Sequence, residues 1–250
     1  QELEEQGKCT ACMMQASYCL CPCLASLRSR ATTLRGESPP VRFVVWMHVR
    51  ERGRASNTGK LLERVLPGTE VLLQDVPEDL QRFQGMVSSS PGRVFVLYPS
   101  EEAIAASDML ARVAPRAGPA SCEAGTPCAA PLEPPLVAVL VDGTWRQAKR
   151  MQRHFEGLPH VALRPCGQSA FHWRRQSQEG RISTVEAAAL LLEELGEPPH
   201  GAPALLREGL EALNGALERQ CHYDTFLAGP PPPEPSARKL AAQAQRMPKR

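Results

Sequence analysis

Four cysteines, Cys9, Cys12, Cys19 and Cys21, follow the spacing C-x2-C-x6-C-x-C. Four thiolates complete a closed tetrahedral zinc site, and each short pair can supply two ligands from one turn. Cys23 is a fifth thiol able to stand in for Cys21. The alternative, a group of free thiols, exposes several oxidisable sulfurs together on a segment too short to bury them. A four-sulfur set leaves no open coordination position, so the expected role of the metal is structural. The chain has nine cysteines, five of them between residues 9 and 23. A disulfide framework spreads its pairs across a small secreted chain. Clustering in a larger chain that opens at Gln1 without an export signal points instead to a reducing compartment, and a cytoplasmic protein is expected.

A second group lies in VAVLVDGTWRQAK, residues 137 to 149. An apolar run of the buried-strand type delivers Asp142, Gly143, Thr144 and Trp145 into a helical pattern. A carboxylate at a strand end can act as a base, with helix N-terminal amides beside it for an anionic group. Asp142 or Thr144 can equally cap the helix, and Trp145 can pack on the sheet. In HVRERGRASNTGKL, residues 48 to 61, His48, Glu51, Arg54 and Asn57 lie three apart. That interval, broken by Gly53, suits either a polar loop at a ligand mouth or a solvated loop, with Asn57 or Thr58 capping the next helix. In residues 169 to 186, Ser183 followed by Glu186 forms a capping box. The loop before it carries Phe171, His172, Trp173, Arg174 and Arg175, and rings beside guanidinium groups can stack bases and hold phosphates. From Trp145 to Arg175 there are seven basic residues, among them Arg146 and Lys149, against the single acid Glu156. The whole chain carries 29 Lys+Arg and 27 Asp+Glu, a net +2, so positive charge is concentrated here and suggests a polyanionic partner.

The elements that must position these groups alternate in type. Strands are expected near 41–47, 70–73, 93–97, 136–141 and 160–163, and helices near 58–66, 101–112, 144–155, 184–195 and 204–219. Short apolar runs separated by helices imply βαβ units around a largely parallel sheet, an α/β fold. Ligands bind beyond the carboxyl ends of such strands. Glycine (18) and proline (24) together make about 17% of the chain, above the ordinary sum of about 12%. Much of the excess sits at 114–135, an expected insertion carrying Cys122 and Cys128, and in the Pro-rich, then basic, tail 229–250. Three parts are therefore expected: a cysteine segment over 1–36, an α/β domain over 37–228, and the tail. No apolar stretch approaches the roughly 18 residues that cross a bilayer.

The ordered set C-x2-C-x6-C-x-C, H-x2-E-x2-R-x2-N-T-G, L-Y-P-S (Leu97 to Ser100), D-x-T-W-x2-A-K and S-T-x-E-A resembles the DTW-domain tRNA-uridine aminocarboxypropyltransferases across most of residues 9–220. The resemblance implies a SPOUT-like α/β fold with a C-terminal trefoil knot. It also implies transfer of the 3-amino-3-carboxypropyl group of S-adenosylmethionine to N3 of a tRNA uridine. Under it, Asp142, Thr144 and Trp145 are the catalytic candidates, Asp142 as base or as a grip on the donor's ammonium group. Leu97, Tyr98, Pro99, Ser100, Val141, Asp142, Ile182, Ser183 and Thr184 would cradle the donor. His48, Arg54, Asn57, Arg146, Lys149, Arg174 and Arg175 would face tRNA. Val49 departs from the proline usual after the motif histidine. Two other readings are a SPOUT-type RNA methyltransferase using the same donor and a non-catalytic zinc-ribbon RNA-binding protein.

Overall fold

The computed structural model describes residues 7–35, 41–113, 135–164, 168–173 and 181–228. Arg174, Arg175, the cysteines of the 114–135 insertion and the tail 229–250 lie outside the described residues.

Five strands, β1 (Val41–Met47), β2 (Glu70–Leu73), β3 (Val94–Leu97), β4 (Leu136–Asp142) and β5 (His160–Val161), form one sheet in the order β2-β1-β4-β3-β5. Every pairing is parallel. Strands of such a sheet are buried on both faces, which is why they read as continuous apolar runs. Alternate residues diverge as the pleat requires. Phe43, Val45, Met47, Phe95, Ala138 and Leu140 join the larger core, whereas Val44, Trp46, Val94, Val96, Val137 and Val139 join the smaller.

The larger face is covered by α1 (Cys21–Arg35), α2 (Gly59–Val65), α4 (Ala106–Val113), α6 (Thr184–Glu194) and α7 (Ala202–Ala228). The smaller is covered by α3 (Pro77–Ser89) and by α5 (Trp145–Met151) with the 3-10 turn after it, where Trp46, Phe83 and Phe155 meet. The Trp46 and Phe83 ring centroids are 5.0 Å apart, and Phe83 meets Phe155 edge-on at 5.8 Å.

Two helices add to those expected from the sequence. In α1, Leu20, Leu24, Leu27 and Ala31 are buried at helical spacing and belong to the same core as the sheet, so the cysteine segment is packed into the domain. In α3, Pro77 occupies the first turn, with Glu78 and Asp79 favourably placed against the helix dipole. The helix expected from residue 101 begins only at Ala106, because Ile104 is held as an extended residue beside β5. Its N–H donates to His160 O at 2.9 Å, and its carbonyl accepts from Ala162 N at 3.0 Å. β5 stops at Val161, opposite Leu97 where β3 ends. The last helix is longer than expected, 202–228 against 204–219, because it runs along α6 and α1.

β1 connects outward to β2, while its neighbour β4 connects to β5 on the opposite side. Divergent crossovers leave a crevice between adjacent strands at their carboxyl ends. Met47 and Asp142 are paired there, so both strands end at the same level.

Candidate active site

Buried polar groups mark where a fold has spent stability on something other than packing. Five such residues are buried among those described: Glu51, Asn57, Thr58, Gln74 and Asp142. All five follow or end β1, β2 or β4, beside the crevice.

Asp142 is 1% exposed. Its Oδ2 accepts from Asn57 Nδ2 and its Oδ1 from Thr184 Oγ1 at 2.6 Å. One carboxylate thus ties the β1–α2 loop, β4 and the start of α6 together. Asn57 is oriented because its Oδ1 accepts from Lys60 N at 3.0 Å, leaving its amide nitrogen to donate. Gly59 allows the approach, since a Cβ there would lie 2.9 Å from Asp142 Cγ and 3.0 Å from Val45 Cγ1. Lys60 Nζ donates to the carbonyls of Arg54 at 2.7 Å and Arg52 at 3.3 Å. Burial lowers the ammonium to about 8, against the opposing pull of Cys12 and Asp142.

The capping alternative for Asp142 is excluded, because Thr144 does that work. Thr144 Oγ1 accepts from Gln147 N, and Gln147 Oε1 accepts from Thr144 N at 2.7 Å. His48 Nδ1 meets two donors, Arg50 N at 3.2 Å and Gln147 Nε2 at 3.3 Å, so Nδ1 is the acceptor and the ring proton sits on Nε2. His48 N also donates to Asp142 O at 2.9 Å.

A pocket opens beyond the carboxyl ends of β3, β4 and β5. Leu97, Tyr98, Pro99, Val141, Ile182 and Thr184 line it, together with Trp145. Trp145 does not pack on the sheet. It is 40% exposed, its centroid 6.0 Å from that of Tyr98, and Arg181 Cζ lies 4.2 Å over its ring. Asp142 stands behind this wall and reaches it through Thr184. Ser100 and Ser183, expected in the cradle, are not part of the lining. Ser100 Oγ is bonded to His160 Nδ1 at 2.8 Å, and Ser183 caps α6 in the box with Glu186. Glu186 does more than complete that box: it accepts from Ser169 Oγ at 2.6 Å and from Ala170 N at 2.7 Å, pinning the preceding loop.

Of the residues expected to face RNA, Arg146 and Lys149 are exposed on α5 beside Arg150 and Arg153. Arg54 is half exposed and paired with the fully buried Glu51 at 3.2 Å. Asn57 is not on the surface: 2% exposed, it belongs to the scaffold of Asp142. Phe171, expected as a base-stacking ring, is buried in the larger core. Arg181 and Gly59 join the site without having been expected there. The only local signal for Arg181 is its place directly before Ile182, and for Gly59 its place after Asn57 and Thr58.

The cysteine cluster is assembled. The Sγ atoms of Cys9, Cys12, Cys19 and Cys21 all lie within 4.8 Å of one another, with Cys9–Cys21 at 3.7 Å and Cys12–Cys19 at 3.9 Å. Four sulfurs roughly 2.3 Å from one tetrahedral centre stand about 3.8 Å apart, so the set fits zinc. Cys23 is exposed and outside this group, whereas Cys21 is within it. Met13, with φ 65°, turns the chain back between the two pairs, and Met13 N donates to Cys9 O at 2.8 Å. The Cys9 thiol is lowered to about 6, foremost by the backbone N–H of Cys12, while burial foremost pushes Cys21 up to about 12. Crowded thiols resist joint ionisation, and a cation at their centre removes that penalty.

Fold and site together define an α/β protein with an all-parallel sheet, a pocket at the strand ends and a four-cysteine centre able to hold a metal. The chain belongs to the DTW domain family, which matches residues 6–222. A tRNA-uridine aminocarboxypropyltransferase 2 of Drosophila melanogaster is 29% identical over 253 residues, covering 94% of this chain and 87% of the relative. No solved structure matches the chain. No helix among the described residues is long and apolar enough to cross a membrane.

Proposed function

We propose that the chain transfers the 3-amino-3-carboxypropyl group of S-adenosylmethionine to N3 of a uridine in tRNA. The observation that carries this reading is the pocket of the DTW domain. Its aliphatic wall, the rings of Tyr98 and Trp145, and the guanidinium of Arg181 suit a donor with an apolar thioadenosyl body and an anionic end. The named activity of the Drosophila relative supports the same substrate class.

The bound sulfonium supplies an electrophilic γ-carbon. N3 of uridine loses its proton and its electron pair forms the N3–Cγ bond. The Cγ–S bond breaks with its electrons passing to sulfur, and neutral methylthioadenosine leaves. Asp142 is buried behind the wall, so it takes the N3 proton through Thr184 in this reading. Thr184 Oγ receives the proton from N3 while its own passes to Asp142 Oδ1, along the existing 2.6 Å hydrogen bond. Asn57 holds the other carboxylate oxygen. Thr144 keeps α5 in place as its cap and Trp145 forms the pocket mouth, so neither needs to touch the transferred proton.

Lys149 and Arg146, with Arg174 and Arg175 outside the described residues, are read as the tRNA-facing charge. The zinc centre is read as a structural support of α1 and α2. We also read the fold as SPOUT-related and knotted. In support, β5 is bracketed by β3 and by Ile104 of the connection leaving β3. We read 1–36 as a metal-binding segment sharing the core of the 37–228 domain, and 229–250 as a tail. A tRNA substrate and a four-thiolate centre both suit the cytoplasm.

Nucleoside mass spectrometry of tRNA incubated with the protein and S-adenosylmethionine tests the reading. The expected product is uridine carrying one aminocarboxypropyl group, with methylthioadenosine released in equal amount. A methylated nucleoside would replace it with methyl transfer, and tRNA binding without donor consumption would leave only an RNA-binding protein.

A further inference from the structure

Among the described residues that line the pocket, Arg181 is the one with a formal charge on its side chain. It lies over Trp145, whose exposure places the pair at the mouth and not the floor. An indole under a guanidinium attracts it through the ring quadrupole and fixes its orientation, while the N–H fork stays in the guanidinium plane. A planar fork of this kind matches a carboxylate.

We propose that Arg181, braced by Trp145, binds the α-carboxylate of the donor's aminocarboxypropyl arm and so selects which carbon is presented to RNA. The assignment rests on the donor read above. S-adenosylmethionine carries two cations, the sulfonium and the ammonium, and one anion. Among the described lining residues the one guanidinium, at the mouth, attracts the carboxylate and not the two cations. The thioadenosyl body then fills the aliphatic interior near Leu97, Val141 and Ile182, and the four-carbon arm points outward. That orientation turns Cγ, and not the S-methyl group, toward the open mouth of the pocket.

The test measures binding of three probes, S-adenosylmethionine, its decarboxylated form and methylthioadenosine, to the wild-type chain, Arg181→Gln and Arg181→Lys, with RNA absent. The decarboxylated form keeps both cations and lacks only the anion. Arg181→Gln is expected to weaken S-adenosylmethionine about 10- to 100-fold, the range of a hydrogen-bonded charge pair. Methylthioadenosine should stay within about twofold, showing an intact pocket, and the decarboxylated form should bind no more weakly than to wild type. Arg181→Lys should recover part of the loss, since it keeps the charge but not the fork. Equal weakening of all three probes by Arg181→Gln would overturn the proposal and leave Arg181 as a prop for Trp145. Unchanged affinity for all three would also overturn it, and weaker binding of tRNA to Arg181→Gln in a separate titration would then reassign Arg181 to a phosphate contact. In both cases wild-type binding of S-adenosylmethionine keeps the donor reading intact. Failure of the wild-type chain to bind any probe would remove the donor reading and the proposal together.

Discussion

Replacing Gly59 by alanine is expected to destabilise this protein, although the same change at an open helical position stabilises. Gly59 opens α2, and no left-handed backbone is involved, so alanine by itself gains up to about 0.5–1 kcal/mol from helix propensity and a less flexible unfolded chain. The added Cβ, however, would lie 2.9 Å from Asp142 Cγ, 3.0 Å from Val45 Cγ1 and 3.2 Å from Asp142 Oδ1. Val45 is in the sheet interior and Asp142 is held from two sides, so neither can retreat without cost. Overpacking of a dense interior costs about 1–3 kcal/mol. Any shift of the carboxylate also weakens two hydrogen bonds to a charged acceptor, each worth roughly 1.5–3 kcal/mol. The net expectation is a loss of about 1–3 kcal/mol, or roughly 2–10 °C in Tm for a chain of this size. Gly85, in α3, is the control: a Cβ there meets nothing within 4 Å. Thermal and urea unfolding of Gly59→Ala and Gly85→Ala should therefore move in opposite directions. A rise in Tm for Gly59→Ala matching that for Gly85→Ala would refute the close packing of α2 against Asp142. A double-mutant cycle with Asp142→Ala sharpens the comparison, because removing the carboxylate should recover most of the alanine penalty.

Thr184→Val keeps the volume of the wall and removes the hydroxyl, so transfer should fall by about 10²- to 10⁴-fold with donor binding retained, while Thr184→Ser preserves it; single-turnover assays and donor titrations separate the two effects. Asp142→Asn should fold, because its amide can donate to Thr184 Oγ while its oxygen accepts from Asn57, yet it should lose transfer to a similar degree; near-normal turnover in a stably folded Asp142→Asn protein would remove the base. Elemental analysis should find one zinc per chain, and Cys12→Ser or a strong chelator should lower the Tm, since α1 and α2 lose the coordination energy beside them. Arg150→Ala with Arg153→Ala should weaken tRNA binding and reduce its salt slope by about 0.7–0.9 for each phosphate no longer neutralised, leaving donor affinity alone.

Residues a turn or two apart made much of this protein legible in its sequence. The apolar runs of β1 and β4, the four-cysteine spacing and the Ser183–Glu186 capping box depend on periods and intervals that survive in a linear chain. The two additional helices, absent from those expected, do carry local signals: the stripe Leu20, Leu24, Leu27 and Ala31 has helical spacing, and Pro77 followed by Glu78 and Asp79 is a helix start. The interactions that set the site were not. Asn57 and Thr184 stand 85 and 42 residues from Asp142, and no local period predicts that one carboxylate receives both. Ile104 left its helical pattern because β5 offered its backbone a ladder partner, an energy absent from the local sequence. Thr144 rather than Asp142 became the cap because the strand carries Asp142 inward, toward donors that only the parallel order of β1 and β4 brings within reach. Arg181 and Trp145 met in the same way, across a connection whose course tertiary packing alone decides.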